Sequence, residues 1–373
     1  MITKIIIGDI TKSSAQTVIN TVNCVGVMGK GIAFEFKKKY PDMFRDYKEK
    51  CKNNEVVLGK PYIYKELFQQ WIINFPTKKH WGSISKISDI ELGLKYLVEH
   101  YKEWKVQSLA VPPLGCGNGQ LDWQDVGPII FKALDKIDIP VEVYAPFGTS
   151  PQMLTREFLT KKCYRNIVTT HKELLKFNLA WLTLIEVLCE LEKHPYHTSI
   201  GRTMFQKIGY VLTEQGVPTN FYYTQGSFGP FSRDIKKAIT IMANNGLLIE
   251  ERCGSMFKVK VGHNYLFKRN KNLDLINKYK IIVDRTIDLF ARMNTEQAEL
   301  ATTIFYSVKQ LKKKKDPSIV TENDVLEYAL NWKRLRRPPL SKIQVGSAIR
   351  NLVILKWIKV RYSKNLPINE ELI

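Results

Sequence analysis

No apolar run in the 373-residue chain approaches the ~18 residues that a membrane span needs. The opening Met1-Ile2-Thr3-Lys4-Ile5-Ile6-Ile7 is too short an apolar stretch for a secretory leader and runs straight into a strand pattern. Cysteine is sparse: Cys24, Cys51, Cys116, Cys163, Cys189 and Cys253 lie far apart with no CxxC pair. That spacing argues against a disulfide frame or a zinc site, and leads us to expect reduced thiols, a cytoplasmic location and no membrane partner. His194 and His197 are close in sequence, but Pro195 between them makes a turn, so no metal and no bound cofactor is expected. Neither GxxxxGK[ST] nor a Rossmann glycine fingerprint occurs, which excludes the common phosphate-loop and dinucleotide motifs.

Acidic residues are also outnumbered, 36 against 57 basic, for a net charge of +21. Residues 1–155 carry only +4 of this, and residues 156–373 carry +17. An excess of that size favours a polyanionic partner for the C-terminal region. Lysine-rich codon usage in an AT-rich genome is the competing explanation.

The first ~147 residues alternate strand and helix signals. Strands are expected at Lys4–Gly8, Thr17–Asn20, Lys60–Tyr64, Gln70–Asn74, Ser108–Val111 and Val141–Tyr144. Helices are expected at Gly31–Tyr40, ending before Pro41, at Ser88–Lys102 and at Asp125–Leu134. This order predicts an α/β fold, a sheet between helices in three layers, over residues 1–150. A polar joint is read at Gly148–Lys162. Beyond it the chain turns basic and mainly helical, with helices at Lys172–Lys193 and Arg233–Asn244 and a hairpin of Leu247–Glu251 with Met256–Val261. Thr321 caps a helix over Val325–Asn331, Ser341 one reaching Leu355, and Trp357–Tyr362 reads as a strand. Two winged-helix-like modules are therefore expected, at 163–265 and 283–373.

Two glycine loops each follow a strand. The first is Asn20-Thr21-Val22-Asn23-Cys24-Val25-Gly26-Val27-Met28-Gly29-Lys30-Gly31, and the second Pro112-Pro113-Leu114-Gly115-Cys116-Gly117-Asn118-Gly119. Glycine admits close approach of backbone to ligand, and amides at a helix start face a phosphate. Loops at adjacent strand ends can clamp a diphosphate, whereas either one alone often merely turns the chain.

These strings, with Gly8-Asp9-Ile10-Thr11 before them, resemble a macrodomain across nearly all of residues 1–147. Asn74-Phe75-Pro76-Thr77-Lys78-Lys79-His80-Trp81, together with Leu121-Asp122-Trp123, resembles the DarG subgroup. Those proteins are antitoxins that remove the ADP-ribose which a DarT toxin attaches to thymine in DNA, and that bind the toxin through a C-terminal region. The resemblance implies an ADP-ribosyl glycohydrolase whose partners are ADP-ribose, ADP-ribosylated DNA and a cognate DarT-like transferase.

It also implies roles. Asp9 accepts from the adenine amino group and Ile10 lines the adenine pocket, although an Asp after a strand commonly caps a turn. Asn23 binds the distal ribose, while Asn20 holds the loop from within the sheet. Gly29, Lys30 and Gly31, and Gly115, Cys116 and Gly117, approach the diphosphate through backbone amides, and Pro113, Leu114, Asn118 and Gly119 complete the ADP-ribose-binding loop. Cys116 reads as a small filler, not a nucleophile. Lys78 is the catalytic candidate. It either stabilises or protonates the departing thymine, or forms a transient Schiff base with opened ribose, and the sequence does not choose. His80 and Trp81 are candidate base contacts. At Gln120 the sequence departs from the glycine common among related chains.

In the C-terminal half, Tyr223–Leu248 loosely resembles the SocA-type domain. Its charge favours DNA, whereas the DarG resemblance favours a toxin surface. Two other functions stay open: a macrodomain hydrolase acting on protein or O-acetyl-ADP-ribose, and an ADP-ribose-sensing winged-helix regulator that binds DNA.

Overall fold

The computed structural model describes residues 2–164, 177–195, 199–254, 256–314 and 316–369. His197, and the first residues of the helix expected at Lys172–Lys193, lie outside them. The chain groups into two units, one of Met1–Lys176 with Lys236–Asn245 and one of Phe177–Ile235 with Gly246–Ile373.

In the first unit β1 (Ile2–Ile7), β2 (Thr17–Asn23), α1 (Gly31–Lys39), α2 (Pro41–Lys52), β3 (Tyr62–Tyr64), β4 (Trp71–Lys78), α3 (Ile87–His100), β5 (Leu109–Val111), α4 (Trp123–Leu134), β6 (Val141–Ala145) and α5 (Arg156–Tyr164) follow in order. The strands form one sheet, β1-β6-β5-β2-β4-β3. All neighbours are parallel except β3, which runs antiparallel to β4. The sheet is therefore mixed. Its period of two sorts the apolar residues. Ile19, Ile73, Phe75, Val111 and Val143 join Ile90, Leu94, Val126 and Ile130 of α3 and α4 in one core. Val18, Val22, Ile72, Ala110 and Tyr144 join Phe36, Met43 and Tyr47 of α1 and α2 in the other. Three layers result. Gly93 lets α3 lie flat on the sheet, since an added Cβ there would fall 2.4 Å from the Phe75 ring.

Three local expectations change. Helix α2 begins at Pro41, where the first-turn position tolerates proline, so the stop before Pro41 is a junction between two helices. The polar joint is structured: Pro151–Leu154 is a 3-10 turn, Leu159 of α5 is buried in the first core, and Trp123 Nε1 donates to Met153 O at 3.2 Å. Trp357–Tyr362 is not a strand. Its alternating pattern finds no partner strand, and a single bridge between Thr321 and Arg361 remains.

In the C-terminal half come α6 (Trp181–Lys193), α7 (Arg202–Glu214), β7 (Thr224–Gly226), β8 (Gly229–Phe231), α8 (Asp234–Asn244), β9 (Leu248–Cys253), β10 (Met256–Val261), α9 (Tyr265–Asn270), α10 (Leu273–Lys278), α11 (Lys280–Phe290), α12 (Thr295–Lys314), α13 (Glu322–Trp332) and α14 (Lys342–Ile354). The expected hairpin is β9 with β10. Thr321 and Asp324 form the expected capping box, and Ser341 Oγ accepts from Gln344 N.

Two buried lysines hold the β7–β8 turn in the second unit. Lys207 Nζ donates to Phe228 O and to Pro230 O, and Lys333 Nζ donates to Ser227 O at 2.7 Å and to Glu299 Oε1 at 2.6 Å. One buried carboxylate thus faces two ammonium groups. Burial, with the Lys333 charge added, pushes Lys207 down to about 7. Between that value and the ordinary lysine value the unfolded chain binds more protons than the folded one, so stability rises with pH. We expect the full chain to gain stability from pH 7 to 9 relative to Lys207→Met, by on the order of 1 kcal/mol per pH unit and more steeply above pH 8 than at pH 7. Parallel denaturation curves of the two proteins at pH 7, 8 and 9 check this, and equal slopes would refute it.

Candidate functional site

Parallel pairing of β1, β6, β5, β2 and β4 brings five strand ends to one edge of the sheet, in that order. Asp9 follows β1, Phe147 follows β6, the second glycine loop follows β5, the first follows β2, and Lys78 ends β4. Four strand spacings of about 4.8 Å span roughly 19 Å. That length suits an extended ligand with a ring system at each end. The crevice beyond the carboxyl ends of parallel strands is where open α/β sheets bind such molecules.

Register places the residues within this edge. Asn20 Nδ2 donates to Asn74 Oδ1 at 2.9 Å, and Asn74 Nδ2 donates to Tyr62 OH at 3.1 Å. These three are cross-strand partners on β2, β4 and β3. Asn20 therefore lies within the sheet, where its side chain joins β2 to β4. An irregularity past Val22 brings Asn23 opposite Lys78. The Asn23 side chain shapes the first loop. Its Nδ2 donates to Val27 O, and its Oδ1 accepts from Val25 N at 3.0 Å and from the Tyr47 hydroxyl at 3.2 Å.

The two loops meet. A Cβ added to Gly31, at the start of α1, would sit 3.8 Å from Asn118 Nδ2. Lys78 Nζ donates to Asn118 O at 3.2 Å, so the end of β4 touches the second loop as well. Gly29, Lys30, Gly31, Gly117 and Asn118 form the exposed rim, while Leu114, Gly115 and Gly119 are buried beneath it and Pro113 is half-buried. Burial pushes the Cys116 thiol well above its ordinary range, and that of Cys24 up to about 11. Neither is a thiolate nucleophile, in keeping with Cys116 as filler.

At the β1 end, the Asp9 carboxylate caps a short turn. Its Oδ1 accepts from the Thr11 hydroxyl at 2.7 Å and from Thr11 N at 3.0 Å, bonds that hold the carboxyl below its ordinary value. The Ile10 side chain packs in the core under the crevice. At the other end His80 is buried, and its Nδ1 accepts from Gly82 N at 3.1 Å. Trp81 is 58% exposed. Phe147, 81% exposed next to Asp9's strand, is missed by the sequence analysis, because a single aromatic outside the glycine loops carries no motif. An aromatic between the last strand and Gly148 was the available signal. Among the described residues no group of three or more His, Cys, Asp and Glu has a metal-site arrangement.

A Macro domain model matches residues 19–130. The ADP-ribose glycohydrolase OARD1 of Bos taurus is 30% identical over 129 residues, 33% of this chain and 79% of that protein. The chain belongs to the macrodomain family. The DNA ADP-ribosyl glycohydrolase of Mycobacterium tuberculosis is 36% identical over 234 residues. That match covers 61% of this chain, which spans 64% of the mycobacterial protein's length. A DNA ADP-ribosyl transferase-DNA ADP-ribosyl glycohydrolase fusion protein of Thermosipho africanus is 43% identical over 157 residues, 37% of this chain and 40% of the fusion.

Within this macrodomain the second loop's glycines serve different ends. A Cβ at Gly119 would fall 2.4 Å from Gly115 O and 2.2 Å from Ser85 Oγ, whereas one at Gly117 meets nothing within 4 Å. Gln120 holds φ +65°, in the left-handed region that glycine favours. We expect Gly119→Ala to cost about 1–3 kcal/mol of stability and Gly117→Ala to change it by no more than about 0.5 kcal/mol. Chemical denaturation of both variants tests the contrast, and equal losses would contradict it.

Proposed function

We propose that the chain is a DNA ADP-ribosyl glycohydrolase, cleaving the N-glycosidic bond between ADP-ribose and thymine, and that its C-terminal region binds and restrains a DarT-type ADP-ribosyltransferase. The contact of Lys78 with Asn118 carries the catalytic part. It joins the one ammonium-bearing strand end to the loop pair suited to a diphosphate. Asp9 and Phe147 then hold adenine, by accepting from its amino group and by stacking. Gly29 to Gly31 and Gly115 to Gly119 line the diphosphate, with Gly117 kept bare for close approach. The distal ribose falls near Asn23 and Lys78.

Cleavage leaves a cationic sugar, which water captures at the anomeric carbon with loss of a proton, and a thymine carrying the bonding pair. The Lys78 ammonium meets that developing anion or gives it a proton. In the second route the neutral amine adds to C1 of the ring-opened ribose, thymine leaves with the bonding pair, and water hydrolyses the resulting imine to ADP-ribose and free lysine. Neither route needs a metal or cofactor. Trp81, exposed beside Lys78, is suited to stack on the target or a neighbouring base. The relative that fuses a transferase to a glycohydrolase supports a transferase partner. The +17 of the C-terminal region supports the rival DNA-binding reading.

On an oligonucleotide bearing ADP-ribosylated thymine, Lys78→Ala should lose on the order of 10²-fold or more in rate, while Lys79→Ala retains most of it. ADP-ribose affinity, read by calorimetry, should stay unchanged in Lys78→Ala and fall about tenfold or more in Asp9→Ala and Phe147→Ala. Equal turnover of ADP-ribosylated protein would redirect the substrate assignment. Binding without any turnover would favour the sensing regulator. Capture of a cognate transferase by the full chain should survive 0.5 M salt, unlike bulk charge attraction.

A further inference from the structure

The first unit includes a segment that comes from far along the chain, Lys236–Asn245 of helix α8. Lys237, Ile241 and Asn244 are spaced four and three apart and so share one helix face. Each meets the macrodomain. Lys237 Nζ lies 3.1 Å from Asp122 Oδ2, and Ile241 packs against the core under α3 and α4. Asn244, 6% exposed, makes a complementary pair with main chain: its Oδ1 accepts from Ile87 N at 2.7 Å and its Nδ2 donates to Ser85 O at 3.1 Å.

Both partners matter for the second glycine loop. Ile87 begins α3, whose N-cap Lys86 makes no side-chain cap bond, so Asn244 satisfies one of the helix's first N–H groups from a distant segment. Ser85 N donates to Gly119 O at 3.1 Å, and the Ser85 side chain fills the space beside Gly115 and Gly119. Leu121 N returns to Gly115 O at 3.1 Å, and Asp122, gripped by Lys237, caps α4 at the loop's exit. The loop from Gly115 to Asp122 is thus held at its base through Ser85 and at its exit through Asp122. Both holds run to α8.

We propose that Asn244 is a positioning residue for the second glycine loop, so that the C-terminal half of the chain contributes to the ADP-ribose site without touching ligand. This deepens the glycohydrolase reading and rests on it for the ligand. A buried amide that meets two backbone groups cannot be lost without leaving an N–H and a C=O unpaired. The slack appears at Gly119, beside the Asn118 carbonyl that receives Lys78.

The test compares the full chain with Asn244→Ala, Asn244→Asp and Lys237→Ala. Hydrogen exchange is read at Ser85, Ile87 and Leu121, ADP-ribose affinity by calorimetry, and turnover on the thymine-modified oligonucleotide. Asn244→Ala should speed exchange at Leu121 about tenfold, weaken ADP-ribose by a similar factor, and raise KM more than it lowers kcat. Asn244→Asp keeps the acceptor for Ile87 N and should recover part of each loss. Lys237→Ala, at a half-exposed pair, should shift them two- to threefold and provides the readout should Asn244→Ala fail to fold. Unchanged exchange at Leu121 in Asn244→Ala, or in Lys237→Ala if that alone folds, overturns the proposal. Faster exchange at Leu121 in a chain that binds no ADP-ribose would instead sink the glycohydrolase reading and leave the positioning role standing.

Discussion

A row of hydrogen-bonded polar side chains across the sheet sets where everything in the crevice lies. Asn20, Asn74 and Tyr62 meet across β2, β4 and β3, with Asn20 and Asn74 fully buried, and a slip of one residue would break both bonds and turn every apolar residue of the strands to the wrong face. With that register fixed, Asn23 stands opposite Lys78, the first loop starts where it can curl onto Tyr47, and the lysine reaches Asn118. Polar groups at the centre of a sheet are costly unless paired, and here the pairing selects one alignment.

The second unit uses the same device with charge. Glu322 receives Arg350 through two bonds, 2.8 and 2.9 Å, and Ser363 N through a third at 2.7 Å. Glu186 takes Arg269 in the same forked manner and Tyr265 besides. Lys207 and Lys333 divide one carboxylate and three turn carbonyls between them. Such groups define which helices and turns meet, since any other packing would strand a charge away from water.

Much of this was legible in the sequence because it is local. Period-two and period-3.6 patterns gave the six strands and most helices of the first unit, and glycines after strands marked both loops. Legibility failed where local pattern and tertiary setting part. Helix α2 is polar enough to pass for a loop, although Met43, Tyr47 and Cys51 repeat every four residues on its buried face. Strand β4 runs through Pro76 because β3 pairs only as far as Asn74, so the proline's missing N–H falls where the strand has one neighbour. Trp357–Tyr362 alternates correctly yet has no partner strand. The hold of Asn244 on Ser85 joins residues 159 positions apart, which no window of sequence reveals.

The second loop separates two kinds of information held in identical residues. Gly119 is demanded by the protein's own atoms, and any lineage that stays folded must keep it whatever the protein binds. Gly117 is demanded by nothing inside the molecule. If the chain were passed through many rounds of mutation with folding as the only requirement, Gly117 would drift first, and with it the trace of the ligand that we propose for this loop. Two glycines two residues apart thus stand under separate constraints, one set by architecture and the other left open for use.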